Sequence, residues 1–265
     1  MNRIDEKFKA LKVPARPALI TYICAGDPDM ATTRQLLPTL DEAGADIIEI
    51  GMPFSDPLAD GPTIQMASQR ALKNGANCDM IFDVVMSARR NTDIPLLLMG
   101  YYNPLYRYGI SRFILNAKAA GIDGIIIPDL IPEESGELVC AARRHDFCTV
   151  FLASPTSSSV RLKLISSRST GFIYYVSLAG VTGVRKDLPR HMRRHVVDIK
   201  RISKKPVCVG FGISTPQQVS QVCAFSDGVI VGSAIIKIIE KNLKDKARLM
   251  RDVVSFTKRL RKALA

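Results

Sequence analysis

Glu49 stands between Ile48 and Ile50, in an apolar run where a strand would usually carry Val or Leu. Asp56 and Asp60 follow within a dozen residues, among Pro53, Pro57, Pro62 and Gly61. A carboxyl in apolar surroundings has its charged form disfavoured, so its pKa rises toward neutral. A carboxyl that can give and take a proton near pH 7 is a general acid/base. The alternative for Glu49 is pairing with a buried cation, but no Lys or Arg lies near it in sequence. The prolines stiffen the following loop and lower its unfolded entropy, which suits a segment that places a charge. Either aspartate could instead form a turn through its side chain. Asp56-Pro57 fits that description, and Asp60 is the better second catalytic carboxylate.

A second group of residues suits an anion. The segments A-G-V-T-G (179–183), G-F-G-I-S-T-P (210–216) and V-G-S-A-I-I-K (231–237) are turn-rich and follow apolar runs. Gly183, Gly212 and Gly232 let backbone N–H groups approach a phosphate, and Ser233 adds a hydroxyl. Tyr22, Tyr101 and Tyr174 lie at or near strand ends. They are either core packing or a flat apolar wall for an aromatic substrate.

These residues need a scaffold, and the chain supplies a repeating one. Eight short apolar runs read as strands, at 19–24, 46–50, 95–99, 123–127, 148–152, 172–176, 206–209 and 227–231. They are continuous rather than alternating, as in parallel strands buried on both faces. Amphipathic segments lie between them. Residues 132–145, opening on Pro132-Glu133-Glu134, predict a helix. Residues 245–264 predict another, with Leu249, Met250, Val253, Val254, Leu260 and Leu264 on one stripe. Three strands share a lead-in: A-G-A-D at 43–46, A-G-I-D at 120–123 and S-D at 226–227. The expectation is a (β/α)8 TIM barrel, one domain over 1–265 with extra short helices. A doubly wound sheet fits less well, because no G-x-G-x-x-G follows the first strand. In a barrel, Glu49 falls near the C-terminal end of strand 2, and the glycine-rich turns follow strand 6 and strands 7 and 8, the last two being where phosphate sites form.

Composition narrows the class. The net charge of +12 is concentrated in two segments. Residues 185–205 carry nine Lys/Arg against Asp187 and Asp198; residues 237–265 carry ten against Glu240, Asp245 and Asp252. Phe256 is the only aromatic residue in the two segments, so they read as solvated helix faces rather than a nucleic-acid surface. The six cysteines form no C-x-x-C pair, and Cys24, Cys148 and Cys208 fall inside apolar strands. No disulfide framework or metal site is expected. The charged N-terminus has no signal-peptide core, and no apolar run is long enough to span a bilayer. A reduced, cytoplasmic protein is expected.

The motifs P-F-S-D-P-L-A-D-G-P-T-I-Q (53–65), Y-Y-N-P (101–104), G-V-T-G (180–183), G-F-G-I-S-T-P and G-S-A-I-I-K-I-I-E-K-N-L (232–243) together resemble the tryptophan synthase α subunit family. The likeness runs from T-Y-I-C-A-G-D-P-D at 21–29 to the last helix, and the 53–65 loop is its most specific part. The resemblance implies retro-aldol cleavage of indole-3-glycerol phosphate to indole and glyceraldehyde 3-phosphate. It implies Glu49 as acid/base and Asp60 as the group that stabilises a positive indole nitrogen. Tyr22, Tyr101, Tyr174 and Phe211 would hold the indole, and Thr182 and Gly183 would close loop 6. Gly183, Gly212, Gly232 and Ser233 would bind the phosphate. The resemblance implies no metal or organic cofactor in this subunit. The implied partner is a pyridoxal-phosphate β subunit, in an α2β2 heterotetramer with an indole channel. Loop 6 departs from the family at Leu178, where many relatives carry Arg, which bears on closure and on coupling to β.

Other readings remain at this point. A catalytically weak barrel could act mainly as an allosteric activator of β. Another phosphate-binding barrel, an isomerase or epimerase of a sugar phosphate, would not account for the 53–65 loop. A nucleic-acid binder would need salt-dependent binding near physiological ionic strength.

Overall fold

The computed structural model describes residues 1–13, 15–176, 192–210 and 212–264. Among them nine strands are formed: β1 (Ala18–Cys24), β2 (Ile47–Gly51), β3 (Leu96–Met99), β4 (Gly124–Ile126), β5 (Cys148–Val150), β6 (Leu152–Ala153), β7 (Ile173–Val176), β8 (Val207–Gly210) and β9 (Gly228–Val231). The helices described are α1 (Arg3–Leu11), α2 (Met30–Glu42), α3 (Pro62–Lys73), α4 (Cys78–Ala88), α5 (Tyr102–Tyr108), α6 (Ile110–Ala120) and α7 (Gly136–Arg144). They continue as α8 (Ser159–Arg168), α9 (Met192–Ser203), α10 (Pro216–Cys223), α11 (Ser233–Lys241) and α12 (Lys246–Lys262).

All pairings are parallel, in the order β5-β4-β3-β2-β1-β9-β8-β7-β6. The two ends of that order, β5 and β6, are separated in the chain by Phe151 alone. They are one predicted strand interrupted by a single residue, and the Phe151 carbonyl still accepts from Tyr174 N at 3.1 Å. The sheet therefore closes on itself, and the eight predicted runs form a TIM barrel.

Continuous apolar sequence works here because both strand faces are covered. All seven residues of β1 are buried. Ala18, Ile20, Ile47, Leu97, Ile126, Cys148, Val150, Phe172, Cys208 and Ile230 form the barrel interior. The intervening residues, such as Leu19, Ile23, Ile48, Ile50, Leu96 and Leu98, pack outward against the helices. Helix α1 closes one end of the interior with Ile4, Phe8 and Leu11, each burial contributing about 2 kcal/mol.

The shared lead-in to three strands has a physical purpose. Asp46, Asp123 and Asp227 each donate a backbone N–H to the carbonyl of Leu19, Leu96 and Val207, respectively, at 2.8–2.9 Å. Each carboxylate also accepts the backbone N–H of that same residue at 2.9 Å. The aspartate thus completes the ladder where its strand begins. Arg16 and Arg261 complete Asp46, Arg3 and Arg89 complete Asp123, and Lys200 completes Asp227.

One helix begins later than its sequence suggests. Pro132–Ser135 form a turn, in which Ser135 Oγ donates to the Pro132 carbonyl at 2.8 Å, and α7 starts at Gly136. The hydroxyl satisfies a carbonyl locally and competes with the first helical turn. The last helix follows its stripe, with Leu249, Val253 and Leu260 buried and Asp245 capping Arg248 N at 2.9 Å. The described parts of the basic segments lie on α9, α11 and α12, outside the barrel.

Candidate active site

Strand periodicity decides which side chains reach the barrel mouth. Residues two apart in a strand share a face. Ile47, Ile20, Leu97, Phe172 and Cys208 face the interior. Glu49, Tyr22, Met99, Tyr174 and Gly210 therefore face it one layer nearer the C-terminal end. The register places Tyr22 beside Glu49 on the neighbouring strand. Glycines make room for the rings. A Cβ on Gly51 would collide with the Tyr22 ring and hydroxyl, and one on Gly210 would collide with Tyr174. Met99, Leu152 and Tyr174 pack on the interior cluster and floor the mouth.

Glu49 is 1% exposed, and its Oε2 is buried without a hydrogen-bond partner in the structure. Burial, and then the nearby Asp60 charge, push its pKa to about 8. Asp60 is 7% exposed; burial raises its pKa to about 6, and the Tyr101 hydroxyl works against that rise. Among the described residues no cation offsets either shift. Of the two, Glu49 is the one pushed further toward the protonated form. Asp56 is exposed and takes the Ser55 hydroxyl at 2.6 Å, as a turn residue does.

The loop carrying Asp60 is held from three sides. Ala59 N donates to the Tyr101 hydroxyl at 3.0 Å. Phe54 stacks on the Tyr101 ring with centroids 5.2 Å apart. Gln65 Nε2 donates to the Asp60 carbonyl at 2.8 Å. Tyr101 lies two residues past β3, where it caps α5. It is thus a brace for the loop as well as an aromatic surface. Asp129 accepts Tyr102 N at 2.9 and 3.1 Å and fixes the start of α5. Sequence reasoning did not single out Asp129, Met99 or Leu152. The inward parity of strands 3 and 5 could have exposed the latter two.

Gly212, Gly232 and Ser233 lie at the ends of β8 and β9, on the same rim as Glu49. Gly212 has φ of +51°, and a Cβ there would meet nothing within 4 Å, so backbone faces open space. Gly232 precedes the first turn of α11 without a side-chain cap, leaving helix N-terminal N–H groups and the dipole for an anion. The Cβ of Tyr22 packs against Gly232, so the aromatic floor and the start of α11 adjoin. Thr182, Gly183, Phe211 and Leu178 lie outside the described residues.

A family model described as tryptophan synthase alpha chain matches residues 8–265. The chain belongs to that family. The tryptophan synthase alpha chain of Geobacter sulfurreducens is 48% identical over 264 residues, covering 100% of this chain and 99% of that one. The crystal structure of tryptophan synthase subunit alpha from Legionella pneumophila superposes with a TM-score of 0.93 at 38% identity, covering 100% and 98% of the two chains. A chain of the tryptophan synthase complex from Pyrococcus furiosus gives a TM-score of 0.85 at 40% identity, covering 92% and 98%. Membership makes the chain a lyase. Among the described residues no helix is long and apolar enough to cross a membrane, and no cluster of His, Cys, Asp and Glu is placed to hold a metal ion.

Proposed function

We propose that this chain cleaves indole-3-glycerol phosphate to indole and glyceraldehyde 3-phosphate, and passes the indole to a β subunit. The observation that carries the reading is the buried Glu49 carboxyl, with Oε2 unpartnered and its pKa raised by burial and by Asp60. Protonated Glu49 delivers its proton to indole C3, giving an indoleninium. Asp60 faces the positive ring nitrogen, a charge absent from the neutral substrate, and so favours the transition state over the ground state. The Glu49 carboxylate then takes the proton of the hydroxyl on the adjoining side-chain carbon. The bond from C3 to that carbon breaks, its electrons return to the ring, and the carbon leaves as the aldehyde. Glu49 ends protonated, as it began.

Tyr22, Tyr101, Tyr174 and Phe211 hold the indole. Gly183, Gly212, Gly232 and Ser233 hold the phosphate, and Thr182 and Gly183 close over the site. The reaction as written uses no metal or organic cofactor in this chain. The partner is a pyridoxal-phosphate β subunit in an α2β2 heterotetramer, and the setting is cytoplasmic.

The test is indole release from indole-3-glycerol phosphate, with and without a cognate β subunit, beside Glu49→Gln. Release that rises with β and is lost in the variant is expected. No release in either condition, with β still activated, would leave a regulatory barrel and overturn the reading.

A further inference from the structure

A guanidinium beside the turn after β1 connects three elements that supply the site. Arg70 lies in α3, whose head is preceded by Asp60 and Gly61. Its Nε and Nη2 donate to the two oxygens of Asp27 at 2.7 and 2.9 Å. Its Nη1 donates to Glu240 of α11 at 3.3 Å, and Gly232 and Ser233 form the head of that helix. Asp27 is fully buried in the turn after β1, the strand that carries Tyr22.

Both helices start at the mouth, after β2 and β9. At 1.5 Å per residue, Arg70 and Glu240 lie about 10–12 Å from their helix heads. The link therefore fixes two rods near their far ends. A small slip there changes the separation of the heads, where one holds the carboxylate for the ring nitrogen and the other the phosphate cradle. A substrate that is gripped at both ends senses that separation; a ligand gripped at one end does not. A misplacement of about 1 Å costs on the order of a hundredfold in rate.

We propose that Arg70 is a positioning residue for the reaction: bridging Asp27 and Glu240, it sets the spacing between the Asp60 loop and the phosphate-binding helix. This rests on the lyase reading above. Burial pushes the Asp27 carboxyl up and the Arg70 fork opposes that rise, so removing the charge outright would strand a buried acid. Arg70→Lys keeps the charge but cannot form the fork and reach Glu240 together. Glu240→Gln weakens the α11 link and leaves the buried pair intact.

The test measures three quantities for each variant: kcat/KM for indole-3-glycerol phosphate, the Kd of the same compound, and the Kd of inorganic phosphate. For Arg70→Lys, kcat/KM is expected to fall by about tenfold or more and substrate affinity to weaken, with phosphate affinity unchanged. Glu240→Gln is expected to show the same pattern at about threefold. If Arg70→Lys does not fold, Glu240→Gln carries the test. Phosphate affinity falling in step with substrate affinity would mean general damage and overturn the proposal, as would an unchanged kcat/KM in both variants. Substrate binding without turnover by the unsubstituted chain would defeat the lyase reading, while the affinity ratio would still judge Arg70. No substrate binding at all would overturn both.

Discussion

At the N-terminal end of the barrel, the buried strand-entry carboxylates are answered by donors; at the C-terminal mouth, Glu49 is not. Asp46 accepts from Arg16, Arg261 and the Leu19 N–H, and Asp123 from Arg3, Arg89 and the Leu96 N–H. Glu49 keeps one oxygen without a partner, and the like charge of Asp60 raises its pKa further. The first arrangement secures strand entry and costs little, since both oxygens of each carboxylate accept hydrogen bonds. The second is destabilising by itself and is the kind of strain found at functional sites. One chemical group thus serves stability at one end and proton transfer at the other, and donor supply decides which.

The comparison can be broken most directly at Glu49. Glu49→Gln should lower kcat by about a thousandfold or more while the fold persists. It should also raise stability as pH rises. The unfolded carboxyl ionises near its ordinary value of 4.5, while the folded one holds its proton to about 8. The stabilisation from the protonated form is full below about 4.5 and is lost progressively as pH rises to 8. Gln does not titrate, so the melting-temperature advantage of the variant should grow over that window by several degrees. A variant that is less stable at every pH would mean that Glu49 has a partner. Next in size, Asp60→Asn should cost about a hundredfold in kcat, with a smaller change in KM.

At the other end the signs reverse. Asp123→Ala should cost about 3 kcal/mol, because Arg89 is 11% exposed and loses its carboxylate. Its kcat per folded molecule should be unchanged, and a large fall would mean that the two ends are not independent. The smallest expected effect is at Tyr101→Phe. Loss of the hydroxyl removes the brace on Ala59 and the group that holds down the Asp60 pKa. The acid limb of the pH–rate profile should therefore move upward from about pH 6, with about tenfold lower kcat.

Much of this was legible in the chain. Continuous apolar runs gave the eight strand positions, since burial on both faces leaves few polar residues inside them. Glu49 stood out because it violates that rule, and Asp60 because of the stiff loop around it. The lead-in aspartates were visible as a repeat, but their partners were not: Arg261 is 215 residues from Asp46. Arg70 and Asp27 escaped notice for the same reason, because a pairing 43 residues apart has no local signature. The start of α7 was misjudged because Pro132-Glu133-Glu134 suits a first turn until Ser135 Oγ takes the Pro132 carbonyl. Tyr101 was read as a wall, and its role as a brace depends on Ala59 and Phe54 folding over it.

The central claim is that Glu49 holds a proton at neutral pH because burial and the like charge of Asp60 disfavour its ionised form. The most direct measurement is the infrared carbonyl band of the protonated Glu49 carboxyl, taken as the difference between the unsubstituted chain and Glu49→Gln from pH 4 to 10. The account predicts a band present at pH 7 that disappears with a midpoint near 8. A band already gone by pH 6 would show an ionised Glu49 and contradict the assignment of the acid.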